Sequence, residues 1–169
     1  MEFTCRRCVP GDEEALALLG GATFLQTYAT SADAADMLAY VAEEHTVHQY
    51  RHLLSDPHVK IWAIETAQGK SLIGYVVLVT RDSQNSSNCV VKRLYVLHRF
   101  HGSGLGKRLL GEAIQAANAD GFRTISLQVQ DLNERAQGFY SSFGFEVVHE
   151  EPFHARSRQY MVSVMRLSL

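Results

Sequence analysis

The stretch that decides the fold is Leu94–Leu110, LYVLHRFHGSGLGKRLL. It opens as an apolar strand, passes through a glycine-rich loop and continues into an amphipathic helix. Gly102, Gly104 and Gly106 alternate at the junction. Glycine lets a backbone approach a ligand closely, and a helix N-terminus presents unpaired N–H groups with a partial positive charge. The pattern predicts a cradle for a pyrophosphate group, although a tight strand-to-helix turn would also explain the glycines.

Two standard phosphate-binding loops do not fit this stretch. A P-loop follows the pattern GxxxxGK with Ser or Thr next, but here His101 stands at the first glycine position and Arg108 follows the lysine. A dinucleotide-binding GxGxxG fingerprint needs its third glycine where Lys107 stands. Both classes of nucleotide enzyme are therefore disfavoured.

The segments around the loop predict a mixed α/β sheet. The strand–loop–helix–strand order over 89–130 is the crossover that builds parallel pairing. Gly20 and Gly21 could interrupt the first helix. Other strands are predicted over 2–9, 59–66, 71–80, 145–151 and 158–169, helices over 11–29, 32–45, 47–54, 107–121 and 133–144, and a polar loop over 81–88. We therefore predict a single α/β domain over 1–169, with about seven strands and helices on both faces.

Composition excludes several classes of protein. With 16 basic and 18 acidic residues the formal net charge is -2, so we expect no nucleic-acid partner. No apolar run is long enough for a membrane helix, and no secretory h-region is present. Three cysteines, an odd number, favour a reducing cytoplasm over a disulfide framework.

Two groups of residues raise the question of a metal. Cys5 and Cys8 lie in a predicted strand, where positions three apart point to opposite faces. His45, His48 and His52 share one face of a helix, which a solvated polar face explains better than a zinc site. We expect no metal.

Three segments together resemble the GNAT acetyltransferase superfamily. They are Leu94–Leu110, Ser126–Val129 (SLQV) and Asn133–Glu146 (NERAQGFYSSFGFE). The segments TFLQTYAT and DMLAYV in the N-terminal third are similar to the bacterial spermidine/spermine-acetyltransferase-like subgroup. The resemblance implies the GNAT fold, with acetyl-coenzyme A as co-substrate and no metal.

The family's loop pattern, (Gln/Arg)-x-x-Gly-x-(Gly/Ala), binds the pyrophosphate of acetyl-coenzyme A. Arg99, Gly102 and Gly104 match it literally, whereas the family's usual register uses His101, Gly104 and Gly106, with His101 in place of Gln or Arg. We prefer the second register. Since the loop's contacts are mostly made by backbone N–H groups, this departure is mild.

The resemblance also assigns site residues. Tyr140 matches the position of the general acid that protonates the leaving thiolate, and a phenol is protonated at neutral pH. The backbone at the end of the strand before the loop pairs with the pantetheine arm, and Asn133 bonds that arm while capping its helix. The implied cofactor-binding residues are Leu94, Tyr95, Val96, His101, Gly102, Ser103, Gly104, Leu105, Gly106, Lys107, Asn133, Ala136 and Tyr140.

The general base has no clear candidate. Many relatives carry a glutamate near the start of the strand before the loop, but Cys89–Lys92 contains no carboxylate. His149, Glu150, Glu151 and His154 lie in or beside the strand that faces the substrate in relatives. Ordered water could replace them as the route for the proton.

The function expected from the resemblance is acetyl transfer to a primary amine, by direct attack in a ternary complex. Acidic residues in the N-terminal helices make a polyamine the first guess for this small-molecule partner, although a solvated acidic face would explain them as well. A peptide or protein N-terminus or lysine is the alternative acceptor. A coenzyme A-binding sensor without turnover is the rival from another class. Homodimers are common in the family.

Overall fold

Seven strands and five helices are formed within residues 2–81 and 86–169, the ranges that the computed structural model describes. Of the predicted polar loop over 81–88, residues 82–85 lie outside these ranges and Asn88 belongs to β4. In chain order the elements are β1 (Phe3–Arg7), α1 (Glu13–Tyr28), α2 (Ala34–Glu44), α3 (Val47–Ser55), β2 (Val59–Thr66), β3 (Leu72–Val79), β4 (Asn88–Val96), a 3₁₀ turn (His98–Phe100), α4 (Leu105–Ala119), β5 (Thr124–Gln130), α5 (Glu134–Ser141), β6 (Glu146–His154) and β7 (Gln159–Ser168).

All the described strands join one sheet in the order β1-β2-β3-β4-β5-β7-β6. Neighbouring strands are antiparallel except β4 and β5, which run parallel as the crossover predicts. The mixed α/β fold predicted from the sequence is confirmed. The helix after the glycine loop begins at Leu105, earlier than the predicted Lys107.

Each face of the sheet carries its own hydrophobic core. On one face, α4 and α5 pack over β-strand residues such as Val76 and Val91, with Leu109 fully buried between them. On the other face, α1 and α3 pack over Tyr75 and its neighbours. Cys5 contributes to the first core and Cys8 to the second, so this pair lies on opposite faces, as expected of a strand.

The sheet opens between its two parallel strands. β4 and β5 are paired from Asn88–Thr124 to Val91–Leu127 and separate beyond that point. At the same point the pairing of β3 with β4 shifts, because Lys92 is an extra residue in β4 between the partners of Val77 and Leu78. Such a bulge bends the strand that carries it. The gap between the strands becomes the floor of the site described below.

Helix α1 continues through Gly20 and Gly21, so the predicted interruption is wrong. The reason is tertiary packing, because the missing side chain of Gly20 leaves room for His45 and Tyr50. His45 Nδ1 lies 3.0 Å from the Tyr50 hydroxyl, which lies 2.7 Å from the Tyr75 hydroxyl. Glycine has a weak helix propensity. It is tolerated in this helix interior because it allows α1 to pack more closely against His45 and Tyr50.

His45 does not share a solvated face with His48 and His52. It is 6% exposed, whereas the other two histidines lie on the outside of α3. Burial lowers the pKa of His45 to about 3, with the charge of Arg93 acting in the same direction. Within the described residues no group of three metal-ligating side chains comes together.

We expect Gly20→Ala and Gly21→Ala to have opposite effects on stability. An added Cβ at position 20 would lie 2.5 Å from the Tyr50 hydroxyl oxygen and even closer to the His45 ring. Overpacking should lower the free energy of unfolding by about 1–3 kcal/mol. At position 21 the nearest atom is an ordinary 3.5 Å away, so better helix propensity should add about 0.5–1 kcal/mol. Urea unfolding checks this, and equal effects would contradict the packing role of Gly20.

We expect His45 to make stability fall in mild acid. Its pKa is about 3 when folded against about 6.5 when unfolded, so the unfolded state binds more protons between these values. The contribution of neutral His45 to the free energy of unfolding is therefore fully present above about pH 6.5. Below that pH the free energy of unfolding falls by up to about 1.4 kcal/mol per pH unit. His45→Gln should flatten this slope in urea unfolding, while the exposed control His48→Gln should keep it. A slope unchanged by His45→Gln would refute the assignment.

Candidate active site

Two cavities meet where β4 and β5 separate. The loop cavity, of about 570 Å³, runs between the end of β4, the glycine loop and α5. The aromatic cavity, of about 230 Å³, lies under α1 and α2 against β5 and the β6–β7 hairpin. Both cavities are lined by Tyr28, Val91, Lys92, Tyr95 and Gln128. A ligand in one cavity can therefore reach a ligand in the other through the gap in the sheet.

The structure gathers the site residues expected from the sequence into the loop cavity, with the exception of Ser103. The residues that line it are Leu94, Tyr95, Val96, His101, Gly102, Gly104, Leu105, Gly106, Lys107, Asn133, Ala136 and Tyr140. The hydroxyl of Ser103 instead bonds the carbonyl of Phe100 within the loop.

The glycine loop ends at the N-terminus of α4. Gly102 and Gly104 both have φ +81°, a left-handed conformation that strains other residues, and no heavy atom lies within 4 Å of a Cβ placed on either. Gly104 is the residue preceding the helix. Gly106 lies in the first turn, where a Cβ would come to 3.6 Å from the Phe139 ring. The loop thus leaves open space in front of unpaired helix N–H groups, which suits an anion.

Cationic and imidazole side chains surround this space. Lys107 and Arg135 line the loop cavity beside the open end of α4. The Nε2–H of His101 donates to the carbonyl oxygen of Val96 at 2.7 Å. Burial lowers the pKa of His101, and the charge of Arg135 adds to that effect. His101 is therefore a neutral hydrogen-bond donor that fixes the loop onto β4, while Lys107 and Arg135 supply positive charge.

The end of β4 offers backbone groups rather than side chains. The side chains of Leu94 and Val96 pack into the α4 core, and that of Tyr95 packs into the opposite core. Among the described residues, β4 has no strand partner beyond Val91 on the β5 side. A ligand with amide groups could therefore pair with this edge, although the carbonyl of Val96 is already used by His101.

Tyr140 lies in the wall of the loop cavity and is 9% exposed. Its ring contacts Phe139 and Phe145, with centroids 5.2 and 5.8 Å away. Burial raises the pKa of its phenol, and the nearby Tyr28 phenol adds to the shift. Tyr140 is therefore protonated throughout the neutral range and can act as a proton donor.

Asn133 starts α5 and also faces the loop cavity. Its side-chain oxygen accepts the backbone N–H of Ala136 at 3.1 Å, as an N-cap does. The capping role expected from the sequence is confirmed.

The aromatic cavity is walled by rings from three elements. The rings of Phe24 and Tyr40 stack at 4.5 Å, and Tyr28 meets Phe24 at 4.6 Å. Phe153 of β6 meets the Tyr40 ring edge-on at 6.2 Å. Asp36 also lines this cavity and is 5% exposed.

Neither cavity is lined by any of the four residues considered as a general base, His149, Glu150, Glu151 and His154. One indirect link to the cavities passes through Gln128, which lines both of them. Its Nε2 donates to Glu151 Oε1 at 2.5 Å. His149 Nε2 lies 3.1 Å from the other oxygen of Glu151.

Several lining residues were missed by sequence reasoning. Tyr28, Lys92 and Gln128 lie at the junction of the cavities, and Arg135 lies beside the glycine loop. Of these residues, Arg135 alone has a recognisable sequence pattern. It is a cation in the first turn of the helix that Asn133 caps, a position where a bound anion would stabilise it. The other positions depend on the separation of β4 from β5, which leaves no local pattern.

Comparisons with known proteins agree with this geometry. The model of the acetyltransferase (GNAT) family matches residues 24–145. An uncharacterized N-acetyltransferase of Mycobacterium tuberculosis is 26% identical over 137 residues, which are 80% of this chain and 84% of that protein. N-alpha-acetyltransferase 50 of Danio rerio is 34% identical over 77 residues, 45% of this chain and 46% of that protein.

The same fold occurs among solved structures. The PaiA N-acetyltransferase of Thermoplasma acidophilum, solved in complex with coenzyme A, superposes with a TM-score of 0.82 over 100% of both chains at 20% identity. In the described part of this chain, no helix combines the length and apolarity needed to cross a membrane.

Proposed function

Because the chain belongs to the acetyltransferase (GNAT) family, we propose that it transfers the acetyl group of acetyl-coenzyme A to a primary amine of a small molecule. The observation that carries the proposal is the junction of the two cavities in the gap between β4 and β5. The loop cavity would hold the acetyl donor and the aromatic cavity the amine. Direct attack in a ternary complex requires this kind of shared opening.

The loop cavity has the features that acetyl-coenzyme A needs. The open loop at Gly102 and Gly104, with the N–H groups of α4, suits a pyrophosphate. Lys107 and Arg135 neutralise its charge. The unpaired edge of β4 suits the amide groups of a pantetheine arm. The PaiA protein that shares the fold was solved with coenzyme A, which supports this assignment.

Tyr140 is the residue that we assign as general acid. Thioester aminolysis forms a C–N bond and breaks a C–S bond, and the departing thiolate needs a proton. The buried phenol of Tyr140 holds one at neutral pH. The amine must in turn be neutral to attack. Burial between apolar walls and the charge of Lys92 at the junction both favour the neutral amine.

The proton that the amine loses needs an acceptor at the junction. Of the described residues that line it, none is a carboxylate, and Asp36 lies within the aromatic cavity. We therefore propose that water carries this proton away. Gln128 and Glu151 mark one polar path from the junction to the surface.

Other expectations remain proposals. The first guess of a polyamine rests on the acidic N-terminal helices and the subgroup resemblance. The likeness to N-alpha-acetyltransferase 50 supports the alternative of a peptide N-terminus. A second class of function is a sensor that binds coenzyme A without turnover. The absence of a glutamate in Cys89–Lys92 favours it. A cytoplasmic location and a homodimer are further proposals, as is the single-domain organisation.

We expect Tyr140→Phe to reduce kcat by about 100-fold or more while leaving the affinity for acetyl-coenzyme A nearly unchanged. The ring and its packing are kept, and only the proton donor is lost. Release of free thiol from acetyl-coenzyme A measures kcat, and calorimetry measures binding. Tyr50→Phe is the control for the loss of a buried hydroxyl, because Tyr50 is buried and lines neither cavity. An unchanged kcat in Tyr140→Phe would reject the general-acid role, and binding without turnover in the unaltered protein would favour the sensor.

We expect Gly104→Ala to weaken coenzyme A binding by about 10-fold, because a side chain at φ +81° strains the loop by about 1–2 kcal/mol and enters the space left for the pyrophosphate. Gly111→Ala in the interior of α4 is the control, since a Cβ there meets no atom within 4 Å. It should leave binding unchanged. Calorimetric titration with coenzyme A checks both variants, and equal affinities would contradict the role of the loop.

A further inference from the structure

Resting on the proposed function, we propose that the acceptor is a monoamine whose primary amino group is carried on a compact aromatic or apolar body. The amino group would lie at the junction of the two cavities, beside Tyr28 and Tyr95. The body would fill the aromatic cavity. The walls, the charges and the closure of that cavity each point to this class.

The walls suit a ring or an aliphatic body of similar size. Phe24, Tyr28, Tyr40 and Phe153 form a chain of touching rings from α1, α2 and β6. Met37 and Val162 add to the apolar surface. A dry cavity of about 150 Å³ is sufficient for benzene. The aromatic cavity, of about 230 Å³, therefore has room for one ring and a short side chain.

The charges in the cavity do not suit a polycation. Asp36 and Lys92 are the charged residues in its described lining. Both oxygens of Asp36 are already used, because Oδ1 accepts the Ser157 N–H at 2.7 Å and Oδ2 accepts the hydroxyls of Ser157 at 2.8 Å and Tyr160 at 3.1 Å. A polyamine would bring at least two ammonium groups into a cavity whose described lining holds one carboxylate. At least one of them would be buried without a charged partner, which is unfavourable, and Lys92 would repel it.

Three of the acidic residues in and beside the N-terminal helices are paired with cations of the fold. Glu13 pairs with Arg51 at 3.4 Å, and Asp33 pairs with Arg158 at 3.6 Å. Glu44 lies 2.5 Å from Arg93 and 3.6 Å from Lys92. Their charge is balanced within the fold, so it offers little attraction to a polycationic ligand.

The closure of the cavity suits a small molecule. The contacts of Asp36 with Ser157 and Tyr160 join the β6–β7 connection to the first turn of α2. The backbone N–H of Asp33 also donates to the Tyr160 hydroxyl at 3.1 Å. These bonds fix the two segments together across one side of the cavity. They close this side of the cavity to an extended peptide.

The experiment measures thiol release from acetyl-coenzyme A with four acceptors, namely 2-phenylethylamine, cyclohexylmethylamine, spermidine and a short peptide beginning with Phe. We expect the first two to have a kcat/KM at least about 10-fold above the others, the size of effect that apolar pocket contacts produce. A preference for spermidine or for the peptide would overturn the monoamine class and leave the acetyltransferase proposal intact. An absence of turnover with every acceptor, despite acetyl-coenzyme A binding, would reject both.

A variant pair locates the body of the amine. Val162→Phe fills the aromatic cavity from β7, and should raise KM for 2-phenylethylamine by about 10-fold or more without changing the affinity for coenzyme A. Val164→Phe is the control, since it lies on the same face of the same strand but lines neither cavity. It should leave KM unchanged. Equal KM values in Val162→Phe and the unaltered protein would overturn the placement of the acceptor.

Discussion

The separation of β4 from β5 is the constraint on which the rest of the site depends. The two parallel strands pair only as far as Val91 and Leu127. Beyond that point β5 keeps its other neighbour, β7, while β4 keeps β3. Each strand is therefore held firmly on one side and open on the other. An open strand edge inside a protein needs a hydrogen-bonding partner, and a ligand that enters the gap supplies one.

The bulge at Lys92 lies at the start of the gap between β4 and β5, and it places the positively charged side chain of Lys92 there. Because Lys92 is an extra residue in β4, it and Arg93 both reach the same oxygen of Glu44. Arg93 is 4% exposed and lies over the Tyr50 ring. It thereby connects the gap to the buried tyrosines and His45 beneath α1. The positive charge at the junction is thus supported by a network that extends through the helical layer, and the packing of Gly20 is part of that support.

The sequence allowed prediction of the sheet, the glycine loop and the cap at Asn133, because each follows from a local pattern, whereas Tyr140 was singled out by the family resemblance. Strand alternation, glycine spacing and helix caps involve residues close together in the chain. The continuity of α1 through Gly20 and the burial of His45 depend on contacts between separate helices, and sequence reasoning failed for both. The bulge at Lys92 has no local signal, since it is defined by a shift in pairing with β3.

The same distinction separates recognition of the donor from recognition of the acceptor. The loop cavity is formed by backbone groups of the glycine loop and of β4, so many different side chains are compatible with it. The glycine spacing is therefore enough to predict the loop from the sequence. The aromatic cavity uses side chains from α1, α2, β6 and β7, and its closure joins Asp36 to residues 121 and 124 positions away. Acceptor choice can therefore change through single wall residues such as Val162 while the donor site is kept. For this reason the family resemblance indicates the reaction, whereas the proposal for the class of amine rests on the three-dimensional arrangement of the walls.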